Sequence, residues 1–184
     1  MSDALELALD NLFERLQALP EPLETEYDAD WPSPCEQGQP RGTPEMVTWQ
    51  PVRRELPNDF AGLENALEFE IHPDIKTYYG RYWAANVAAR AADGDLSLLF
   101  LWNPEDIDRL IENLIGHAVA CRNNKTPYAV FFAVTEPDAE YFLSVHNDTG
   151  AVQLEKPGYK PQRQLANSLA EFVDSLTPTG TAAS

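Results

Sequence analysis

Basic side chains are scarce: 13 Lys and Arg stand against 30 Asp and Glu, a net charge of −17. Nucleic-acid binding by direct contact is thereby disfavoured, because it leaves a basic footprint. Adhesion to bare anionic lipid is disfavoured for the same reason. Cysteine is nearly absent. Cys35 and Cys121 lie far apart with no CxxC motif, which argues against a disulfide framework and for free thiols in a reducing compartment. The three histidines, His72, His117 and His146, fall on separate elements without a second His or Cys at ligand spacing, so no metal is expected. No stretch approaches the roughly 18 apolar residues of a membrane span. The start, Met1-Ser2-Asp3-Ala4-Leu5-Glu6, lacks the basic residues and apolar run of a signal peptide. Walker, GxGxxG, GxSxG and HExxH motifs are missing, and no cofactor is expected. These absences predict a cytoplasmic protein whose membrane association, if any, runs through a partner.

What is present fits one domain. A chain of 184 residues buries roughly 70% of its unfolded surface without a covalent staple. Leu5, Leu9, Leu12, Phe13, Leu16 and Leu19 recur at helical spacing behind Ser2 as a cap, and Pro20 ends the run. An irregular acidic segment carrying Glu24, Glu26, Asp28 and Asp30 follows, and the stretch to Pro44, rich in Pro and Gly, reads as a loop ordered by packing or as a mobile arm. Val47–Gln50 suits a short strand. Asn58 is placed to cap a helical turn with Phe60, Leu63 and Leu67, and Pro73 suits the first position of the next helix. Asn86–Arg90 and Leu96–Leu101 flank the turn Asp93-Gly94-Asp95 as a hairpin. Asn103 and Pro104 open a helix whose apolar stripe is Ile107, Leu110, Ile111, Leu114, Ile115, Ala118 and Val119. Residues 129–134, 141–146 and 151–154 read as strands joined by short turns, hence antiparallel. A last helix carries Leu165, Leu169, Phe172, Val173 and Leu176, and 177–184 reads as a polar tail after a domain spanning 1–176. The expected class is α+β, with a mostly antiparallel central sheet covered by helices.

The acids are uneven. Residues 1–70 hold 16 acids and 4 bases, whereas 71–184 hold 14 and 9. Charge far from zero serves solubility, but grouped like charges are relieved by a cationic partner. Glu55, Asp59, Glu64, Glu68, Glu70 and Asp74 form one such group, with Glu64 and Glu68 four apart, and Glu105, Asp106, Asp108 and Glu112 form another, with Asp108 and Glu112 four apart. Glu105 and Asp106 are accounted for by the helix start. Of the others, Glu64, Glu68, Glu70, Asp74, Asp108 and Glu112 are chosen as the candidate partner contacts. No catalytic residue is singled out: with thirty acids, a pair at hydrolase spacing arises by chance. Tyr78, Tyr79, Tyr82 and Trp83 are near-helically spaced and read as core. His117 and His146 are assigned structural roles.

Some blocks say more than periodicity. Trp102-Asn103-Pro104-Glu105-Asp106, followed by Glu112-Asn113-Leu114-Ile115-Gly116-His117, resembles the SecY-interacting Syd family. Ser33-Pro34-Cys35, Trp49-Gln50-Pro51, Ile71-His72-Pro73, Thr77-Tyr78-Tyr79, Phe131-Phe132-Ala133 and Leu165–Phe172 agree in order, so the resemblance covers about residues 1–176. It implies an α/β fold related to the SMI1/KNR4-like superfamily. It also implies a non-enzymatic protein, peripheral to the cytoplasmic side of the inner membrane, that binds SecY through an acidic concave surface and checks the SecYEG complex. Asn113, Gly116 and His117 are marked by the family and expected to organise the fold, with Gly116 permitting close helix packing. Two further readings stand beside this one: a toxin-neutralising immunity protein of the related superfamily, and a carboxylate hydrolase. The charge fits the first implication independently, because cytoplasmic loops of membrane proteins are enriched in Lys and Arg.

Overall fold

The computed structural model describes residues 2–183. In chain order the elements are α1 (Ser2–Gln17), β1 (Glu24–Glu26), β2 (Glu36–Arg41), β3 (Met46–Trp49), β4 (Val52–Arg53), α2 (Ala61–Leu67), α3 (Pro73–Arg81), β5 (Tyr82–Trp83), β6 (Val87–Ala91), β7 (Gly94–Leu98), α4 (Glu105–Asn124), β8 (Ala129–Thr135), β9 (Phe142–His146), β10 (Val152–Glu155), β11 (Arg163–Ala166), α5 (Leu169–Asp174) and β12 (Thr177–Thr181). The class is α+β. Seven strands form the main sheet in the order β11-β10-β9-β8-β7-β6-β12, and every pairing in it is antiparallel. Short turns dictate this for β6–β7, β8–β9 and β9–β10, whereas β7–β8 is joined through α4 and β6–β12 through most of the chain. The arm adds a three-stranded sheet, β1-β3-β2, and β4 pairs with β5.

The two sheet faces are told apart by adjacent phenylalanines. Phe132 meets Tyr78 and Phe172, and so faces α3 and α5. Phe131 meets His117 of α4. The leucine stripe of α1 (Leu5, Leu9, Leu12 and Leu16) is fully buried, and α1 packs on α3, α5 and β12. Tyr78 and Tyr79 are core residues, as their spacing predicts.

Several expectations need correction. The segment 177–184 is not simply a tail: Thr177–Thr181 is an edge strand paired with β6. Its side chains are polar, but its backbone completes the sheet, and Thr181 Oγ1 accepts a hydrogen bond from Trp49 Nε1 at 2.9 Å. Leu165 belongs to β11, not to the last helix, which starts at Leu169 behind Ser168. Ser168 caps it by accepting from Glu171 N–H. Asn58 caps nothing; its amide donates to Tyr79 O at 3.1 Å, while Asp59 accepts from Ala61 N–H. Ile115 and Val119 are 39% and 52% exposed, so the stripe of α4 narrows to Leu110, Leu114, Ala118 and Cys121, flanked by half-buried Ile107 and Ile111 that also pack on the core. A Cβ built on Gly116 would meet nothing within 4 Å, so close packing does not explain that glycine. Of the two readings of the arm, the ordered one holds, but the order comes from strand pairing rather than from a packed loop. The expected cap Ser2 has its side chain outside the described residues.

Candidate functional site

The arm is bound to the start of α4. Trp102 Nε1 donates to Trp31 O at 3.1 Å, Asn103 Nδ2 donates to Pro32 O at 2.9 Å, and Ser33 Oγ donates to Trp102 O at 2.5 Å. Asn103 is buried and uses both ends of its amide, since Oδ1 accepts from Asp106 N–H at 3.1 Å. Asp106 Oδ2 in turn accepts from Trp102 N–H at 2.7 Å. Each buried polar group is thereby satisfied, and Trp31 and Trp102 are fixed without a metal or disulfide. Cys35 sits beneath this junction, where burial pushes its thiol up to about 11 and leaves it neutral and unreactive.

This junction walls a groove of about 410 Å³. Tyr79, Phe131, Leu99 and Ala84 line it, with Trp31 and Trp102 beside them and Thr181–Ala183 at the margin. Tyr79 donates its hydroxyl to Phe131 O at 2.7 Å, and burial drives its ionisation far above the ordinary tyrosine range. It is therefore a neutral wall rather than a proton carrier. Three carboxylates, Glu26, Asp28 and Asp106, share the lining with one cation, Arg109. No described basic side chain pairs with Glu26 or Asp28. Arg109 lies over the Trp31 ring at 4.0 Å. The lining residues Tyr79, Trp102, Asp106, Asn113 and Phe131 all fall in the blocks that carried the family resemblance.

A second groove, of about 490 Å³, opens on the α5 side of the main sheet. Leu96, Leu143, Leu154 and Phe172 line it, together with six carboxylates and Arg163. Half of its carboxylates are already paired with internal cations. Asp93 pairs with Arg163 at 2.7 Å, Asp95 with Arg90 at 3.1 Å, and Glu140 with Lys156 at 2.7 Å, while Glu136 accepts from Ser97. The first groove retains more unanswered negative charge per carboxylate and is the stronger docking candidate.

None of the six acids chosen from sequence lines either groove. Glu68, Glu70, Asp108 and Glu112 are exposed. Glu64 accepts from Ile71 N–H at 2.9 Å and pairs with Lys76, whose ammonium holds its carboxyl below the usual range. Glu68 has left the helix in a left-handed conformation, φ +65°, so it does not continue the face that carries Glu64. Asp74 is only 4% exposed and sits beside His72, which caps α3 through Nδ1; burial removes it from the surface contacts. Sequence reasoning passed over Glu26, Asp28 and Trp31, placed in an arm read as irregular, and assigned Asp106 to the helix start alone. The excess acid of residues 1–70 was the available signal.

His117 is packed among Tyr128, Phe131 and Phe142 at ring distances of 6.0–6.3 Å, with Cys121 Sγ 3.5 Å from Nε2. No helix among the described residues is long and apolar enough to cross a membrane.

Comparison with known proteins converges on one family. The family model described as Syd protein (SUKH-2) matches residues 4–178. Protein Syd of Pseudoalteromonas atlantica is 44% identical over 159 residues, covering 85% of this chain and 84% of that protein. Protein Syd of Colwellia psychrerythraea is 40% identical over 161 residues, covering 83% and 79%. Protein Syd of Alteromonas mediterranea is 39% identical over 158 residues, covering 86% of each. With its α+β sheet, its arm clamped to α4 and a match across nearly every element, this chain belongs to the Syd protein family, SUKH-2.

Proposed function

We propose that this protein is a non-enzymatic binding protein that docks cationic cytosolic loops of SecY in the groove between the arm and α4, at the cytoplasmic side of the inner membrane. The observation that carries the reading is the meeting of indole and phenol rings with Glu26 and Asp28, two carboxylates without an internal cation. Such a groove offers a Lys- or Arg-bearing segment charge at the rim and apolar surface below. The net charge of −17 steers the same encounter from a distance. Exposed Glu68, Glu70, Asp108 and Glu112 belong to that wider field in this reading, not to the contact itself.

The test is capture by SecYEG-containing vesicles across a salt titration. Binding should fall steeply between low and physiological salt, where the screening length shrinks to about 8 Å. Reversing Glu26 and Asp28 to lysine should abolish it, while circular dichroism of the variant stays native. Retention of full binding by that double variant would sink the assignment of this groove.

A further inference from the structure

The one cation lining the docking groove is placed as a partner's would be. Arg109 Cζ lies 4.0 Å from the centroid of the Trp31 ring, and its Nη1 is 4.0 Å from Asp106 Oδ1. The indole face is the strongest ring acceptor of a guanidinium. The carboxylate is prepared for a fork-shaped donor: Trp102 N–H holds Oδ2 at 2.7 Å, and no hydrogen bond occupies Oδ1. Arg109 itself uses this cradle poorly. Its side chain is 65% exposed, whereas that of Asp106 is 18% exposed, and 4.0 Å is beyond hydrogen-bond reach. The cradle is better built than its occupant is bound. The backbone of Trp31 is tied by its carbonyl to Trp102, and Asp106 is tied into the buried Asn103 turn, so neither anchor of the cradle depends on Arg109.

We propose that Trp31 and Asp106 form a subsite for an arginine side chain of the partner, which the chain's own Arg109 fills until the partner's guanidinium displaces it. This rests on the reading of the groove as the docking site. It adds that arginine is selected over lysine there, because an ammonium lacks the planar face and the fork. It also assigns Arg109 the role of a competitor rather than a contact.

The experiment uses a short arginine-rich peptide and its lysine-for-arginine counterpart, titrated into the intact protein at low salt and followed by calorimetry. The wild type should bind the arginine peptide more tightly. R109Q should tighten it by about two- to fivefold, the range expected when an exposed cation–π competitor is removed. W31A should weaken it and erase the preference over lysine. R122Q removes an equal charge from an exposed position on the same helix outside the groove, and should change affinity by less than R109Q. Equal tightening by R122Q and R109Q would mean that net charge alone acts, and would overturn the proposal. So would weaker or unchanged binding by R109Q while the wild type binds. A wild type that binds neither peptide would sink the docking reading itself.

Discussion

Asp10 shows how a single carboxylate is used when acids are in excess. It accepts from Arg81 Nε at 3.0 Å, Arg81 Nη2 at 2.6 Å and Tyr82 Oη at 2.7 Å, joining α1 to the end of α3. The Arg81 guanidinium, more than any other neighbour, holds its carboxyl below the usual aspartate value. A depressed folded-state pKa stabilises the fold above the unfolded value of about 3.9, and that contribution is lost as pH falls through the folded value. D10N should therefore cost about 1–2 kcal/mol at pH 7 in denaturant titration. It should also flatten the acid limb of stability below about pH 4; an unchanged acid limb would show that Asp10 does not carry it. Cys35 gives a second residue-level expectation. With its thiol pushed up to about 11 and fully buried, it should resist a thiol reagent at pH 8 in the folded protein and react on unfolding. Rapid labelling of the native state would contradict that environment. At this scale the sequence was legible where a residue acts locally, as Pro73 opening α3 and Asn103 turning the chain into α4 do. It was opaque where the partner is distant: Trp31 gains its setting from Trp102, 71 positions away.

The elements read from apolar spacing were those whose side chains face the core. Strands β8, β9 and β10 and the hairpin β6–β7 show that pattern, and so does α1. Strands β1, β2, β11 and β12 do not, because edge or satellite strands are held by backbone pairing and leave most side chains to solvent. The arm looked irregular for that reason, and its acidic groove could not be seen. Two tests belong here. Truncation after Leu176 should lower the unfolding midpoint substantially, because it strips β12 from β6 and takes the Thr181 acceptor from the buried Trp49; unchanged stability would restore the polar-tail reading. The β9–β10 turn docks on the start of α3, where Asn147 accepts from His72 N–H at 2.9 Å and donates to Glu70 O at 2.8 Å. Gly150 in that turn has φ +75°, and an added Cβ would lie 2.7 Å from His72 Nε2. G150A should cost more than about 1 kcal/mol, from the left-handed backbone and the contact together. A loss within a few tenths of a kcal/mol would show that the turn yields freely.

For the molecule as a whole, charge sets opposite responses to salt. A net charge of −17 strains the compact state through self-repulsion. Added salt should therefore raise the melting temperature while weakening the proposed capture by SecYEG vesicles. A fall in both would indicate that internal ion pairs, such as Asp10–Arg81, outweigh the repulsion.

The packing of α1 also bears on how the chain is made. Arg15 Nη1 donates at 2.8 Å to the carbonyl of Leu176, 161 positions later, and the buried leucines of α1 rest on α5 and β12. At about 5–20 residues per second, a ribosome takes about 8–32 s to cover that interval. Of the surfaces that bury the leucine stripe of α1, only α3 is made early; those of α5 and β12 come at the end of the interval. Full burial of that stripe therefore waits for the last helix and the last strand, so the closing step of folding joins the two ends of the described chain.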